Sequence, residues 1–560
     1  MNKKILKRIL LVILLIILVV LIYIIINKAY NKKLQENMKD LNWLMKNVDI
    51  TEDFAIGSNV LSVNKLSDID IYSDAYQTVI DEKINNLKES DDYTLDNPLL
   101  IYNAYGTNSS SINIYFNTDE DSYLTYTVDC DDNDISDYTK TLYNGEESNL
   151  TTTHEYQITG LVAGEKQDVN FELYNENNEL IDESKITVFM PESKVDTKLD
   201  VTDGESTEEL EDGLYALLGH DKNFNSNIYL YDNDGILRSE IPLNSYRSDR
   251  IIWIDGNMLY SYTKRKFALV NRLGKVVKTY KIDGYYMHHD FIYDDDNNNL
   301  IILANKDGAD TIEDRVITLN LDTGETNEII NMQDFAKDFY DTAVAPEDGN
   351  TYGGDELDWV HLNSLSLNGT DLVLSSREFS TIFCISDVYN NPTLKYVIGD
   401  PTIYEGTSLE SYALEKQGDF ISQAGQHTIT YQFDDTLGSG RYYLIMFNNN
   451  YAGSRTRPDF NWDPFVGAGD YNNGEASKYY KYLVDENNRT FTLVDSFDTD
   501  YSSIVSSVEQ LSENLVSSSG KDNSFSEFDS NHILIRKFDY SSKKYAYRVF
   551  KYNFNNFWYY

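Results

Sequence analysis

The sequence predicts an all-β protein in which a small antiparallel sandwich precedes a β-propeller. Two observations predict this class. Tyr, Phe and Trp make up 13% of the 560 residues, with 45 Tyr against 8 Pro, and aromatic residues favour strands. From Gly213 to Tyr560, a unit of strand, Asp/Asn/Gly-rich turn and strand recurs about every 40 to 60 residues, giving about six units, as in propeller blades.

The amino terminus carries a candidate membrane anchor. Four basic residues within the first eight positions precede an uncharged, almost wholly aliphatic run over 9–26. As a helix rising ~1.5 Å per residue, this run would span about 27 Å of hydrocarbon. No small-residue cleavage site follows it. We therefore expect residues 1–29 to form a cytoplasmic tail and an uncleaved transmembrane helix, with the rest of the chain on the extracellular side of the cell membrane.

The rest of the chain divides into four predicted segments. In order, these are a polar, partly helical stalk over 30–96, an antiparallel sandwich over 97–195, an acidic linker over 196–210 and the propeller over 211–560. Helical spacing of Leu34, Met38 and Leu41 marks the stalk, and short alternating runs between turns mark the sandwich. Within the propeller, only 331–340 and 506–515 look helical.

Composition excludes several function classes. The chain has 92 acidic and 47 basic residues and a net charge of −45, which repels phosphate backbones, so nucleic acid is not an expected partner. We interpret most of this charge as solvated surface, because no EF-hand spacing accompanies the run Asp294, Asp295 and Asp296. Cys130 and Cys384 lie in different predicted domains, so they form neither a disulfide framework nor a structural zinc site.

Seven histidines are few for this length, and four of them fall in three clusters. These are MHHD with His288, His289 and Asp290, DWVHLNS with His361 and Asn363, and QAGQHT with His427. Each cluster lies in a separate predicted blade, and the innermost strands of all blades converge on one channel. We therefore expect the clusters to meet at one channel mouth. The other three, His154, His220 and His532, are expected to be packing or surface residues.

Arg377 interrupts the apolar stretch LVLSSREFSTIFCIS. A cation inside a strand is costly unless it is paired or meets an anion, so a structural salt bridge and an anion site both remain open. Side chains alternate with period two, which would project His361 and Asn363 together. With Arg377 they would form a cradle for a tetrahedral oxyanion. The set lacks the carboxylates of a hard divalent ion site; a three-histidine zinc site stays open, although Arg377 would oppose it.

Several strings carry a specific likeness when taken together. NPLLIYNAYGTNSSS, MHHD, DWVHLNSLSLNGTDLVLSSR, VIGDP and QAGQHT resemble successive motifs of the bacterial arylsulfate sulfotransferase family, in its order, from about Asn97 to the carboxyl end. The resemblance implies a six-bladed propeller preceded by an immunoglobulin-like sandwich. It also implies ping-pong transfer of a sulfuryl group from an aryl sulfate to a phenol, outside the cytoplasm and without a nucleotide sulfate donor.

The resemblance further implies a role for each site residue. His427 matches the nucleophile that becomes sulfohistidine, and His361, Asn363 and Arg377 match the groups that hold the sulfuryl oxygens. In MHHD, we assign the phenolic proton to His289, which is adjacent to Asp290, and keep His288 as the alternate. Alternation along a strand would send the two rings to opposite faces, so only one of them is expected in the channel. No metal or other cofactor is implied. The family's periplasmic members carry a short disulfide near the nucleophile, and no cysteine lies near His427.

Other interpretations remain open beside this one. The propeller could be a non-catalytic extracellular binding module, an arylsulfatase-like hydrolase, or a metal or quinone oxidoreductase on a similar scaffold. The partners expected for the transferase are a phenolic sulfate donor, a phenol acceptor and the membrane. A homodimer paired through an edge of the sandwich is a further expectation. The identity of the two phenols is not specified by the sequence.

Overall fold

A computed structural model of the chain describes residues 40–66, 69–220, 226–245, 247–350, 352–542 and 545–560, together with the isolated positions 13, 16, 17, 20 and 28. The predicted anchor over 9–26 therefore lies outside the described residues, apart from those isolated positions. Among the residues that are described, no helix combines the length and the apolar character needed to cross a bilayer.

An eight-stranded sheet system forms the sandwich. Its strands are β1 (Ile50–Glu52), β2 (Val60–Val63), β3 (Leu99–Tyr102), β4 (Ile112–Cys130), β5 (Tyr138–Thr141), β6 (Thr151–Ile158), β7 (Lys166–Tyr174) and β8 (Leu180–Phe189). They are ordered β1-β2-β3-β4-β7-β8, with β5 and β6 also paired to β4. The first half of β4 pairs with β3 and β6 and its second half with β5 and β7. This long strand therefore joins the two layers, and Phe116 and Leu124 on its inner face are fully buried.

The described part of the predicted stalk packs on this sheet instead of standing apart from it. Its helices are α1 (Leu41–Asn47) and α2 (Asp74–Lys88). Strand β2 pairs in parallel with β3, and Val79 and Ile80 of α2 join one apolar cluster with Ile101 of β3. The strands β1 and β2 are short and mostly part-exposed, so they lack the alternation that would have predicted them.

Six further sheets form the blades of a propeller, which confirms the predicted architecture. From the channel outward, the strands are, in blade 1, β34 (Arg548–Tyr552), β10 (Leu214–His220), β11 (Ser226–Tyr231) and β12 (Leu237–Pro242); in blade 2, β13 (Ile251–Ile254), β14 (Asn257–Thr263), β15 (Lys266–Val270) and β16 (Val276–Lys281); and in blade 3, β17 (Tyr285–Asp294), β18 (Asn299–Lys306), β19 (Arg315–Asn320) and β20 (Thr326–Asn331).

The remaining three blades follow in chain order. They are blade 4, with β21 (Leu362–Asn368), β22 (Asp371–Ser376), β23 (Thr381–Ser386) and β24 (Thr393–Ile398); blade 5, with β26 (His427–Gln432), β27 (Arg441–Asn448), β28 (Ser477–Asp485), β29 (Thr490–Thr499) and β25 (Glu415–Lys416); and blade 6, with β30 (Ser507–Gln510), β31 (Leu515–Ser519), β32 (Ser524–Phe528), β33 (Leu534–Asp539) and β9 (Asp200–Asp203). The innermost strands β17, β21, β26, β30 and β34 contact one another in that order around the channel.

Two strands from opposite ends of the chain segment that forms the propeller close the ring. The carboxyl-terminal strand β34 pairs antiparallel with β10, near the start of the propeller. Strand β9, which lies in the segment predicted as a linker, pairs with β33 and completes blade 6. All four residues of β9 are exposed, so no apolar pattern marks this strand in the sequence.

The helix predictions within the propeller had mixed outcomes. Residues 331–340 contain a 3-10 turn, Met332–Asp334, and the start of α3 (Lys337–Thr342), as predicted. Further 3-10 turns span Pro401–Ile403 and Glu410–Tyr412. The prediction for 506–515 was wrong, because this segment holds the innermost strand β30.

Candidate active site

Three successive blades bring the predicted site residues to the channel. His288 and His289 lie in β17 of blade 3, His361 directly precedes β21 of blade 4, and His427 begins β26 of blade 5. Arg377 lies in the turn after β22 and not inside a strand, which corrects the interpretation from the sequence. Its backbone N–H donates to the carbonyl of His361 at 3.1 Å, so the turn is held against the strand that follows His361.

A local break in strand pairing lies at each of the three histidine motifs. The register shifts between Met287 and Phe291 in β17, between Leu362 and Ser364 in β21, and between His427 and Thr430 in β26. His289, His361 and Thr428 have φ of 55°, 48° and 54°, a left-handed conformation that costs a non-glycine residue ~1–3 kcal/mol. Bulges of this kind redirect side chains, and strain of this kind concentrates at functional sites.

The hydrogen bonds of His427 fix which ring nitrogen is free. The side-chain N–H groups of Asn449 donate to the carbonyls of Ser502 and Val505, at 2.7 and 3.0 Å, so Oδ1 of Asn449 is an acceptor. Nδ1 of His427 lies 2.7 Å from this Oδ1 and 3.1 Å from the carbonyl of Gly425, and it must therefore carry the proton. Burial holds the pKa of His427 well below its usual range. Nε2, which has no hydrogen-bond partner among the described residues, therefore keeps a lone pair.

His361 is held in the opposite state. Its Nδ1 is 2.6 Å from Oδ2 of Asp358 and 2.5 Å from Oε2 of Glu313. Burial and Arg377 lower the pKa of His361, but the two carboxylates outweigh them and raise it to about 9. His361 is therefore an imidazolium at neutral pH. Its Nε2 is buried and has no hydrogen-bond partner in the described chain, which makes it an unpaired donor.

The two rings of MHHD do not point to opposite faces. Nδ1 of His288 and Nδ1 of His289 lie 2.9 Å apart, because the bulge in β17 breaks the alternation. Burial lowers the pKa of His288 to about 4 and that of His289 well below its usual range. Asp290, the expected neighbour of His289, pairs instead with Arg250 and Arg548.

Arg377 and Asn363 are both engaged within the protein. Nη2 of Arg377 is 3.1 Å from Oε1 of Glu378, so the structural salt bridge left open by the sequence is present. Burial would lower the pKa of Arg377, but Glu378 and Asp358 raise it, and the guanidinium stays charged. The side-chain N–H of Asn363 donates to the carbonyl of Gln426 at 2.7 Å. Asn363 thus joins β21 to the residue before His427 and does not share a partner with His361.

Four rings connect the three blades at the channel mouth. Ring centres are 4.9 Å apart for His361 and His289, 5.1 Å for His289 and Tyr547, and 6.2 Å for Tyr547 and His427. The hydroxyl of Tyr547 donates to the backbone carbonyl of Asn363. The guanidinium carbon of Arg247 lies 4.3 Å from the centre of the Tyr547 ring. The predicted residues therefore do meet at one place, with Tyr547 between them.

Two family models account for most of the chain. One, described as Arylsulfotransferase (ASST), matches residues 200–560, and another, described as Arylsulfotransferase Ig-like domain, matches residues 99–208. The chain belongs to the arylsulfotransferase family. Its propeller and immunoglobulin-like sandwich are those of an aryl-sulfate sulfotransferase, an enzyme that acts on a phenolic sulfate donor and a phenol acceptor.

Likenesses beyond this family are distant. No curated protein matches the chain. Among solved structures, a provisional 6-phosphogluconolactonase from Bacteroides fragilis has 11% identity and a TM-score of 0.33, covering 77% of this chain and 98% of its own. The β-propeller domain of Cps50 (Swd1) from Myceliophteria thermophila has 10% identity and a TM-score of 0.27, covering 68% and 94%. No functional conclusion follows from likenesses at this level.

The candidate site contains carboxylates that the sequence did not lead us to expect. The expectation that the histidine clusters lack carboxylates was wrong, because Glu313 and Asp358 approach them through the fold. Among the described residues of this site, two groups of side chains could hold a metal ion: His288, His289 and Glu313, and Glu313, Asp358 and His361. Two histidines and one carboxylate suit a transition metal. In the second group, His361 already pairs with both carboxylates as a cation.

A cavity of about 230 Å³ opens beside His288 of this arylsulfotransferase. Its lining includes Tyr286, His288, Asn305, Glu313, Tyr352 and Glu356. Aromatic walls next to an imidazole provide both an apolar surface and a hydrogen-bonding group, as binding of a phenol requires.

Several residues of the candidate site were not predicted from the sequence. Asp358 had a usable signal, since it precedes His361 by three positions within the DWVH string. Glu313, Asn449 and Tyr547 had none, because each is far from the histidine motifs in sequence and reaches them only through blade packing.

Proposed function

We propose that this enzyme transfers the sulfuryl group by a ping-pong route in which His427 is the nucleophile and becomes sulfohistidine. The observation that supports this most strongly is the protonation of two buried rings: Nε2 of His427 keeps its lone pair, whereas Nε2–H of His361 is a donor without an acceptor among the described residues. A buried nucleophile beside a buried cationic donor suits a substrate with an electrophilic centre and charged oxygens. An aryl sulfate is such a substrate.

In the first half-reaction, Nε2 of His427 attacks the sulfur of the donor. The N–S bond forms while the S–O bond to the aryl group breaks, and the phenolate leaves with the electron pair of that bond. His361 and Arg377 donate to the sulfuryl oxygens, and Asn363 is assigned to the same set from the family motif. Positive charge develops on the His427 ring, and Asn449 and Gly425 stabilise it by accepting from Nδ1–H.

In the second half-reaction, the acceptor phenol takes the place of the first. Its oxygen attacks the sulfur, the N–S bond breaks, and the electron pair returns to Nε2 of His427. The phenolic proton passes to His289, whose buried ring is unprotonated at neutral pH. His288 is the alternate, since its Nδ1 meets that of His289. The cavity between Tyr286 and Tyr352 receives the aryl ring.

The proposal is tested with the purified full-length protein and a chromogenic aryl sulfate, with and without added phenol. We expect colour release that depends on phenol, with parallel lines in double-reciprocal plots. His427→Ala should lower transfer by at least about a thousandfold. His532→Ala is the matched control, because His532 stacks on Phe497 away from the site, and it should retain transfer.

The other outcomes of this assay identify the alternatives. Release of the coloured phenol at the same rate with and without added acceptor phenol would indicate a hydrolase. Release that persists in His427→Ala would contradict the sulfohistidine route, and no release over a broad panel of donors would indicate a binding module.

We also propose that the chain is a single-pass protein of the cell membrane, with its catalytic domain on the extracellular side and a homodimer formed through the sandwich edge. The support is the basic segment before the apolar run over 9–26 and the presence of sheet edges. Protease treatment of intact cells should cleave the propeller. A full-length protein that fractionates without membranes, or a monomer by light scattering, would contradict the respective part.

A further inference from the structure

Glu313 contacts two imidazoles of the site at once. Its Oε2 is 2.5 Å from Nδ1 of His361, and its Oε1 is 3.6 Å from Nδ1 of His289. The hydroxyl of Tyr352 donates to Oε1 at 2.6 Å. Glu313 is fully buried and has a φ of 59°, a strained backbone conformation for a residue other than glycine. The backbone N–H of Leu362 donates to its carbonyl at 2.9 Å, which fixes this loop against blade 4.

The second half-reaction requires a negative charge beside His289, and Glu313 can supply it. A buried, neutral His289 is a weak base towards a phenol, because burial destabilises the imidazolium that it must form. A carboxylate on the Nδ1 side stabilises such an imidazolium while Nε2 takes the proton, as in hydrolase triads. Asp358 accepts from Nδ1 of His361 at 2.6 Å. His361 therefore keeps a carboxylate of its own when Glu313 is needed by His289.

Resting on the function proposed above, we infer that Glu313 is a positioning residue that stabilises protonated His289 during transfer to the acceptor. As the acceptor O–H bond breaks, its proton goes to Nε2 of His289, the phenolic oxygen bonds to sulfur, and the bond from sulfur to His427 breaks. Nδ1 of His289, which lies 2.9 Å from Nδ1 of His288 and 3.6 Å from Oε1 of Glu313, then belongs to a cation that the charge of Glu313 stabilises. Glu313 thereby determines which acceptors are used: phenols that are neutral at the working pH depend on its charge, whereas phenols that bind as phenolates do not.

The test is Glu313→Gln, which keeps the shape of the side chain and removes its charge. Transfer is measured from one acidic aryl sulfate to a series of phenols of graded acidity. We expect transfer to weakly acidic phenols to fall about a hundredfold or more, with a much smaller loss for phenols acidic enough to bind as phenolates. The burst of phenol released from the donor before any acceptor is added should remain.

Two further variants separate this role from a structural one. Glu313→Asp keeps the charge at a longer distance from His289 and should recover part of the transfer to weakly acidic phenols, and it serves as the test if Glu313→Gln fails to fold. Glu509→Gln is the control for a carboxyl lost elsewhere in the propeller, because desolvation raises the pKa of Glu509 to about 8 and leaves it largely uncharged at neutral pH. Its acceptor profile should match the wild type.

The outcomes are distinguishable. An equal loss for all phenols in both Glu313 variants, or no loss, would overturn the inference while leaving the sulfohistidine route intact. A stoichiometric transition metal in the wild-type protein that Glu313→Gln lacks would also overturn it, by assigning the carboxylate to a metal. Absence of the burst in the wild-type protein would instead mark failure of the proposed function itself.

Discussion

The sandwich and the propeller channel both bury histidines, but in different states. In the sandwich, Nδ1 of His154 meets the hydroxyl of Tyr156 and Nε2 meets the hydroxyl of Ser122, each at 3.1 Å. In the channel, His361 and His427 are buried to the same degree, yet Nε2 of neither has a partner among the described residues. Leaving a buried polar atom unpaired costs ~1–3 kcal/mol. Among the buried histidines of the described chain, an unpaired ring nitrogen such as Nε2 of His361 therefore indicates a substrate contact more directly than burial does.

Arg377→Lys tests the cation of the channel, and we expect it to lower activity more than any of the four substitutions that follow. Lysine keeps the positive charge but lacks the planar guanidinium, whose several N–H groups can donate to Glu378 and to a sulfuryl oxygen at the same time. We expect kcat/KM for the donor to fall about 100- to 1,000-fold. Steady-state kinetics with several donors would check this. Unchanged kinetics would show that Arg377 serves only its salt bridge.

Asn449→Leu removes the closer of the two acceptors that hold the proton of His427 on Nδ1 and leaves the carbonyl of Gly425. Because the ring could then place its proton on Nε2, we expect kcat to fall about a hundredfold, with little change in donor KM. The companion Asn449→Asp keeps an acceptor but adds a negative charge, which raises the pKa of His427. Its activity should decline at a higher pH than that of the wild type as the pH is lowered. Identical acid limbs would contradict the tautomer assignment.

The pH dependence of donor binding should report His361. Burial and Arg377 lower the pKa of this ring, but Asp358 and Glu313 raise it to about 9. Since the pKa of the folded protein is raised, the charge is present below about pH 9 and lost above it. Donor KM should be flat from neutral pH to that point and then rise by up to about tenfold per pH unit. In Asp358→Asn the rise should begin at lower pH, and a KM that stays flat in both proteins would refute the assignment.

His154→Phe should give the smallest effect on activity. Phenylalanine preserves the stacking on Phe116, whose ring centre is 4.5 Å away, but leaves the hydroxyls of Tyr156 and Ser122 without the ring nitrogens. We expect the free energy of unfolding to fall by ~1–3 kcal/mol, with kcat/KM unchanged. Thermal unfolding and the transfer assay would measure the two. Loss of transfer in a variant that still folds would contradict the distinction between His154, whose two ring nitrogens both have partners, and the channel histidines, whose Nε2 has none in the described chain.

The fold was predictable where a local pattern repeats. Hairpins with Asp/Asn/Gly turns indicated the propeller, and alternating runs indicated the sandwich, because side-chain burial in a blade or a sandwich follows period two. Strand β9 and segment 506–515 were misread for opposite reasons. The four exposed residues of β9 carry no apolar pattern, whereas β30 is a short strand within a segment whose spacing looked helical.

The site was predictable in its histidines and not in their surroundings. Clustering of His288, His289, His361 and His427 indicated a common channel, since a propeller brings its inner strands together. The bulges that turn these rings, and the arrival of Glu313 and Asn449, depend on packing between blades. Such contacts leave no spacing in the sequence, and this is why Glu313, the carboxylate that approaches His289, was not expected.

The covalent intermediate offers the most direct test of the proposed mechanism. The full-length protein is mixed with excess aryl sulfate without acceptor, digested near neutral pH, and its peptides are weighed by mass spectrometry. We predict one added SO₃ group on the peptide that contains His427, its loss when phenol is added, and its absence from His427→Ala. Transfer without any labelled peptide, or a label on another residue that phenol discharges, would contradict the sulfohistidine mechanism.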